Sequence, residues 1–395
     1  MINKHFFQLA ILAALLLSAN LTIAQNNLPL NLDIEKEQIH SEELDEERSY
    51  YVGLPSSYHA GSKKYPVMVI LDADFHMHSV YTTLKIMATE GQIPELILIG
   101  VSTSENRTRD LTPTNSKIGY MGKEEPWITE TGGGNNFLSF LENELLVKVR
   151  KDYRALEYTI FSGHSLGGLM TAASFLANQS FQAYLSLDPA IWWDNGYLVN
   201  QINPDSVQLL TKKKLYMAGA GRINASGGLS KMRIAQEHFM AMLKVSGVPF
   251  DNIRFQTFED DNHNSLHLMA LYSGMRYLFQ DYPLQYSSSM NLDDILSHYQ
   301  KISDLLGTDF TPPESDINRV AWSKFNDGKQ EEAFDLFEIN INNYPNTASV
   351  YEAIGYAYNN AGLIEPALEN FEKSLAFGSS GNQRIRELID EIRNK

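Results

Sequence analysis

The chain, 395 residues long, contains no cysteine. That absence excludes a disulfide framework, a thiolate metal site, a cysteine nucleophile and a lipid-modified N-terminal cysteine. Positive charge is scarce as well. Lys and Arg number 32 against 48 Asp and Glu, a formal net charge of −16. Such a surface repels nucleic acid and anionic membranes, so neither is expected as a partner. Long apolar runs are missing after the first residues. Phe6–Leu17 is short for a bilayer span. It follows Lys4 and precedes Thr22-Ile23-Ala24, and this order reads as a signal peptide over residues 1–24, with an uncleaved anchor as the alternative. The mature protein is then expected to be exported, periplasmic or extracellular, and off the membrane. Without disulfides it must be held by core burial, which 43% hydrophobic residues over this length can supply.

Residues 25–47 read as a polar leader, with the acidic Glu42-Glu43-Leu44-Asp45-Glu46-Glu47 solvated. Residues 48–285 alternate in character. Apolar, strand-like runs stand at Ser49–Leu54, Tyr65–Leu71, Leu96–Val101, Leu156–Phe161, Ala183–Leu187, Lys214–Ala218 and Ile253–Phe258. Helix-like segments stand at Val80–Ala88, Asn136–Arg150, Leu169–Leu176, Leu229–Val245 and Leu266–Phe279. Continuous apolar strands separated by helices imply an α/β fold, a mostly parallel sheet covered on both faces. Right-handed crossovers would place the strand C-termini on one rim. Residues 286–314 form a helical linker with a Pro312-Pro313 hinge. In residues 315–395, Gly328, Ala333 and Phe337 recur 34 residues later as Gly362, Ala367 and Phe371, and Val320-Ala321 as Ile354-Gly355. That period, with small residues where helices cross, is a tetratricopeptide-like pattern, closed by a helix at Ile385–Ile392.

The chemistry centres on Gly163-His164-Ser165-Leu166-Gly167-Gly168, between a strand and a helix. A serine on such a turn, with glycine two residues either side, is the nucleophile elbow of α/β-hydrolases. Acyl transfer also needs a base, a group to orient it and donors for the oxyanion. His263 follows the last strand, where chain order puts the base; His267 is its competitor inside the next helix. The oxyanion donors would be the Leu166 amide with that of Asp74 or Phe75. The acid's usual loop, residues 219–228, has no carboxylate, so Asp188 at the end of the preceding strand is the substitute. A Ser165–His263 dyad stays open. His263 and His267 lack the Glu of H-E-x-x-H, and Asp72, Asp74, His76 and His78 read as a shaped wall. No metal and no cofactor is expected. Trp192-Trp193 would form an aromatic substrate wall or cover the sheet edge. Arg107 and Arg109, in the long 102–135 segment with Gly132–Gly134 as its hinge, would receive an anionic substrate or form a solvated pair.

Across about residues 46–282 the chain resembles the "putative esterase" family of α/β-hydrolases. The resemblance rests on Arg107–Pro113, Gly163–Gly168, Pro189-Ala190-Ile191-Trp192-Trp193 and Asn262–Ser265. That family includes enterobactin-type siderophore esterases, feruloyl esterases, S-formylglutathione hydrolases and mycolyl transferases, and the siderophore branch is the most similar. The resemblance implies Ser165 as nucleophile and His263 as base. It does not cover the acid, because Asp188 stands where relatives often carry a small polar residue. The expectation is an exported serine esterase acting on a small-molecule ester. The alternative is a catalytically weak hydrolase-fold binding protein that recruits a protein partner through residues 315–380.

Overall fold

The computed structural model describes residues 32–394 apart from 61, 121, 127, 178–179, 204–206, 222–229, 288 and 379–381. The signal-peptide reading of residues 1–24 lies outside the described residues. The chain opens with an antiparallel hairpin of β1 (Ile34–Ser41) and β2 (Glu46–Gly53). This corrects the polar-leader reading of residues 25–47 over its second half. β1 pairs on one side only, at the edge of the sheet. Its charged residues, Glu35, Lys36 and Glu37, hide the strand pattern while blocking edge-to-edge pairing. The acidic run is the turn: the Leu44 amide donates to Ser41 Oγ at 3.1 Å, and Asp45 takes φ 53°.

There follow β3 (Tyr65–Ile70), α1 (Ala73–Thr89), β4 (Ile97–Val101), and α2 (Gly134–Phe140), which runs through a π turn at Leu141–Leu145 into α3 (Leu146–Asp152). Then come β5 (Ala155–His164), α4 (Leu166–Leu176), β6 (Ala183–Leu187), α5 (Trp193–Asn200), β7 (Lys214–Ala220), α6 (Lys231–Val245), β8 (Ile253–Phe258) and α7 (Leu266–Leu278). The eight strands form one sheet, ordered β1-β2-β4-β3-β5-β6-β7-β8. β2 is antiparallel to both its neighbours, and from β4 to β8 the pairing is parallel. Along β3, Val67 and Val69 enter the core on one face while Met68 and Ile70 enter the core on the other. This is the two-residue period of a sheet buried on both sides. α1 begins well before the expected Val80. The residues read as a wall are its first turns, and Ala73 and Met77 continue the buried stripe of Val80, Tyr81, Leu84 and Met87.

The C-terminal ends of β3, β5 and β6 share a rim. Just beyond each stands a non-glycine residue with positive φ: Asp72 at 53°, Ser165 at 61° and Asp188 at 40°. Such conformations cost on the order of 1–3 kcal/mol each and persist where the surrounding structure imposes them.

After the sheet come α8 (Leu292–Leu306), α9 (Glu314–Asn326), α10 (Gln330–Asn343), α11 (Ala348–Asn360), α12 (Ile364–Ala376) and α13 (Asn382–Arg393). α11 and α12 begin 34 residues after α9 and α10, and Ala333, Ala367, Phe337 and Phe371 are all fully buried. Ile295, Tyr299, Ile302 and Leu306 of α8 join the core on one sheet face, as do Val320, Phe337 and Ile354. α8 to α11 are therefore packed onto the sheet, whereas Ala367 and Phe371 of α12 cluster separately with Ile385 and Ile389 of α13. At the expected hinge, the Pro312 carbonyl accepts from the Tyr344 hydroxyl at 2.8 Å.

Candidate active site

Ser165 joins β5 to α4 with φ 61° and ψ −114°. A Cβ on Gly163 would lie 2.4 Å from the carbonyl carbon and oxygen of Gly167. Only a glycine permits that approach. Gly167 is less constrained, since its own Cβ would meet nothing closer than Leu71 at 3.5 Å. The elbow is clamped to the neighbouring strand end: the Ser165 amide donates to Leu187 O, and Ser165 O accepts from the Ala190 amide, both at 3.0 Å.

His263 Nε2 lies 3.0 Å from Ser165 Oγ, and its Nδ1 lies 2.6 Å from Asp188 Oδ2. A carboxylate only accepts, so Nδ1 carries the proton and Nε2 is left to accept from the serine hydroxyl. Asp188 is 1% exposed. Its Oδ1 accepts from Gln236 Nε2 at 2.8 Å and from the Ala220 amide at 3.2 Å. Burial by itself would raise the Asp188 carboxyl, but the hydrogen bonds from His263, Gln236 and Ala220 hold it below the usual carboxylate value. Asp188 thus stays ionised beside the imidazole.

Two polar side chains at this site are absent from the sequence reading. Gln236 is fully buried on α6, also donating to Pro189 O at 3.1 Å. Its signal was a glutamine on the buried stripe of Met232, Phe239, Met240 and Leu243. His164 Nε2 lies 2.6 Å from the His263 carbonyl oxygen. Burial, and next the adjacent His263 ring, push His164 down to about 4. His267, the competing base, is stacked on His76 with ring centroids 3.8 Å apart. Burial lowers His76 below the ordinary histidine value and pushes His267 down to about 2.

On the oxyanion side, the Leu166 amide opens α4, where no intrahelical acceptor exists. The Phe75 amide donates to Asp72 O at 3.0 Å. It is engaged, which withdraws Phe75 as a donor and leaves the Ala73 and Asp74 amides in the first turn of α1. Asp72 accepts from Arg107 Nε and Nη2, both at 2.8 Å, and from Thr103. Burial raises its carboxyl, yet Arg107 and Thr103 hold it below the ordinary value. No group of three His, Asp or Glu residues among the described residues has metal-holding geometry.

The arginines are not a solvated pair, since each is bound to buried or half-buried carboxylates. Arg107 is bound to Asp72 and also reaches His164 O at 3.4 Å. Arg109 grips Glu46 at 2.7 and 3.0 Å and Asp110 at 2.8 Å. Asp110, 0% exposed, also accepts from Arg48 at 2.7 Å. Arg109 is thus a structural residue tying the 102–135 segment to β2. Removing one partner of a buried ion pair costs about 3–5 kcal/mol. Asp110→Ala, which removes one of the two carboxylates on Arg48, should lower the unfolding free energy by about 3 kcal/mol in urea titration, the low end because Arg48 keeps Glu46. A loss below about 1 kcal/mol would contradict this network.

Trp193 is also corrected. It is fully buried, with Nε1 donating to Thr114 Oγ1 at 3.1 Å, so it belongs to the core rather than to a substrate wall. Trp192 is partly exposed and edge-on to Tyr120, with centroids 5.4 Å apart. It lines a cleft of about 370 Å³ with Tyr120, Lys231 and His238. The cleft also borders Asp194-Asn195-Gly196, three successive left-handed residues that interrupt α5.

An eight-stranded mixed sheet in this order, with helices on both faces and a serine at the strand-to-helix elbow, is an α/β-hydrolase-like fold. The family model described as "Putative esterase" matches residues 41–236, just short of half the chain and ending before His263. Among curated proteins, the chain is 34% identical over 163 residues to the ferri-bacillibactin esterase BesA of Bacillus subtilis, covering 38% of this chain and 55% of the relative. It is 25% identical over 220 residues to the apo-salmochelin esterase of Escherichia coli, covering 52% of this chain and 67% of that one. The match thus spans about half the length of the Bacillus relative. Among solved structures, an IroE-like serine hydrolase from Shewanella oneidensis aligns with a TM-score of 0.65 at 25% identity, over 77% of this chain and 98% of that one.

Proposed function

We propose that this protein is a serine esterase in which Ser165 attacks an ester carbonyl, His263 takes and returns the proton, and Asp188 orients and charge-balances the imidazole. One observation carries the reading: Ser165 Oγ, His263 and Asp188 stand in line at 3.0 and 2.6 Å. The developing oxyanion would be met by the Leu166 amide and by Ala73 or Asp74. Each such donor contributes roughly 2.7–4 kcal/mol at the transition state. A binding protein with a degraded site was motivated by the missing carboxylate in residues 219–228. Asp188 beside His263 supports the esterase reading over it. Of those residues, 222–228 lie outside the described residues.

The similarity to bacillibactin and salmochelin esterases supports a siderophore-type ester as substrate. Trp192 and its cleft would then hold an aromatic portion. Export rests on residues 1–24, and the 34-residue spacing of the C-terminal helices supports reading them as tetratricopeptide-type hairpins. The test is turnover of p-nitrophenyl butyrate and of a catecholate trilactone by the protein lacking residues 1–24. Hydrolysis of both is expected. Cleavage of the nitrophenyl ester alone would remove the siderophore assignment, and cleavage of neither would remove the esterase reading.

A further inference from the structure

His164 lies between Gly163 and the nucleophile, 8% exposed at the end of β5. It touches His263 twice. The two rings lie 4.4 Å apart, tilted by 38°, and His164 Nε2 reaches the His263 backbone carbonyl at 2.6 Å. A carbonyl accepts only, so Nε2 carries a hydrogen and donates it. His263 itself sits on a turn held mostly by its own bonds. Asn262 Oδ1 accepts from the Asn264 and Ser265 amides at 3.0 and 3.1 Å. Ser265 Oγ accepts from the Asn262 amide at 3.0 Å and donates to Asp261 at 2.8 Å. Among the described residues, no other side chain from the sheet hydrogen-bonds the backbone of this turn.

We propose that His164 is a positioning residue: by fixing the His263 carbonyl it sets the height of the imidazole between Asp188 and Ser165. This rests on the esterase reading of Ser165 and His263. The physical reason is the number of free torsions. A base on a half-exposed turn has both backbone and side-chain freedom, and the bond to His164 removes the backbone part before substrate arrives. His164 is itself buttressed, for His267 and His76 stand edge-on to it at 5.7 and 6.1 Å. Being neutral, it adds no positive charge beside the imidazolium that forms on His263.

The test compares H164Q with H164N in the full chain. A glutamine side chain offers an N–H near the position of Nε2, whereas an asparagine offers one near Nδ1. H164N should lower kcat on p-nitrophenyl butyrate by roughly 10- to 100-fold, the scale of a small misplacement of a reacting group. KM should stay near the wild-type value, the mark of an interaction that matters only in the transition state. Fluorophosphonate labelling of Ser165 should slow in parallel, and H164Q should restore most of both rates. The two variants should melt at the same temperature. Equal rates in H164N, H164Q and wild type would overturn the proposal, as would two equally slow amide variants or a rate loss that tracks a fall in melting temperature. Wild-type protein that neither labels nor turns over would instead remove the esterase reading beneath it.

Discussion

Replacing Ser165 with alanine should lower kcat for ester hydrolysis by on the order of 10⁶, the scale seen when the nucleophile of a serine hydrolase is removed. The size follows from how the site is built. Gly163 lets β5 pass against Gly167, and the positive φ of Ser165 holds its hydroxyl 3.0 Å from His263 Nε2. No other hydroxyl is hydrogen-bonded to that nitrogen among the described residues, so no neighbour can substitute. The oxyanion amides remain in the variant, and a residual rate above the uncatalysed reaction is expected from them. Stability should hardly change, because the fold of the elbow rests on backbone bonds to Leu187 and Ala190. A variant that folds and keeps more than about a hundredth of the wild-type rate would place the chemistry elsewhere.

Asp188→Asn should lower kcat by roughly 10⁴, the loss expected when the acid of a triad becomes an amide. Here the direction of the amide can be derived. Oδ1 is held by two donors, Gln236 Nε2 and the Ala220 amide. Asparagine must therefore keep its oxygen on that side and turn its NH₂ toward His263 Nδ1. The imidazole responds by carrying its proton on Nε2, and it then donates to Ser165 instead of accepting from it. The nucleophile is left without a base although every heavy atom stays in place. Steady-state kinetics and the pH profile check this together: kcat should fall with little change in KM, and a residual rate rising with hydroxide is expected. An Asp188→Asn protein within about tenfold of wild type would favour the Ser165–His263 dyad.

The α/β order of the chain was legible because strands buried on both faces are written as unbroken apolar runs, as at Tyr65–Ile70. β1 was not legible for the opposite reason. An edge strand facing water on much of its surface carries the charges of a leader. The start of α1 was obscured because Asp72, Asp74, His76 and His78 recur every second residue. The helical signal lay in Ala73 and Met77 between them. Motif and chain order point to Ser165 and His263, and place on the rim to Asp188, and the structure brings these three side chains within hydrogen-bond distance. Phe75, Arg109 and Trp193 misled because sequence shows the residue type but not its partner. Phe75 lends its amide to Asp72, Arg109 its guanidinium to Glu46 and Asp110, and Trp193 its indole to Thr114. Gln236 and His164 act through hydrogen bonds to groups distant in the sequence, and beyond the glutamine's place on a buried stripe no local pattern announces those. The 34-residue period matches the spacing of α9 and α10 to α11 and α12, but the docking of α8 against the sheet depends on long-range packing.

The central claim is that Ser165 is an activated nucleophile. Its most direct test is fluorophosphonate labelling of the folded protein, with the adduct located by peptide mass spectrometry. A single adduct is expected on the peptide containing Gly163–Gly168, absent from Ser165→Ala and slowed in Asp188→Asn. A folded wild-type protein that forms no adduct, or forms one on another residue, would contradict it.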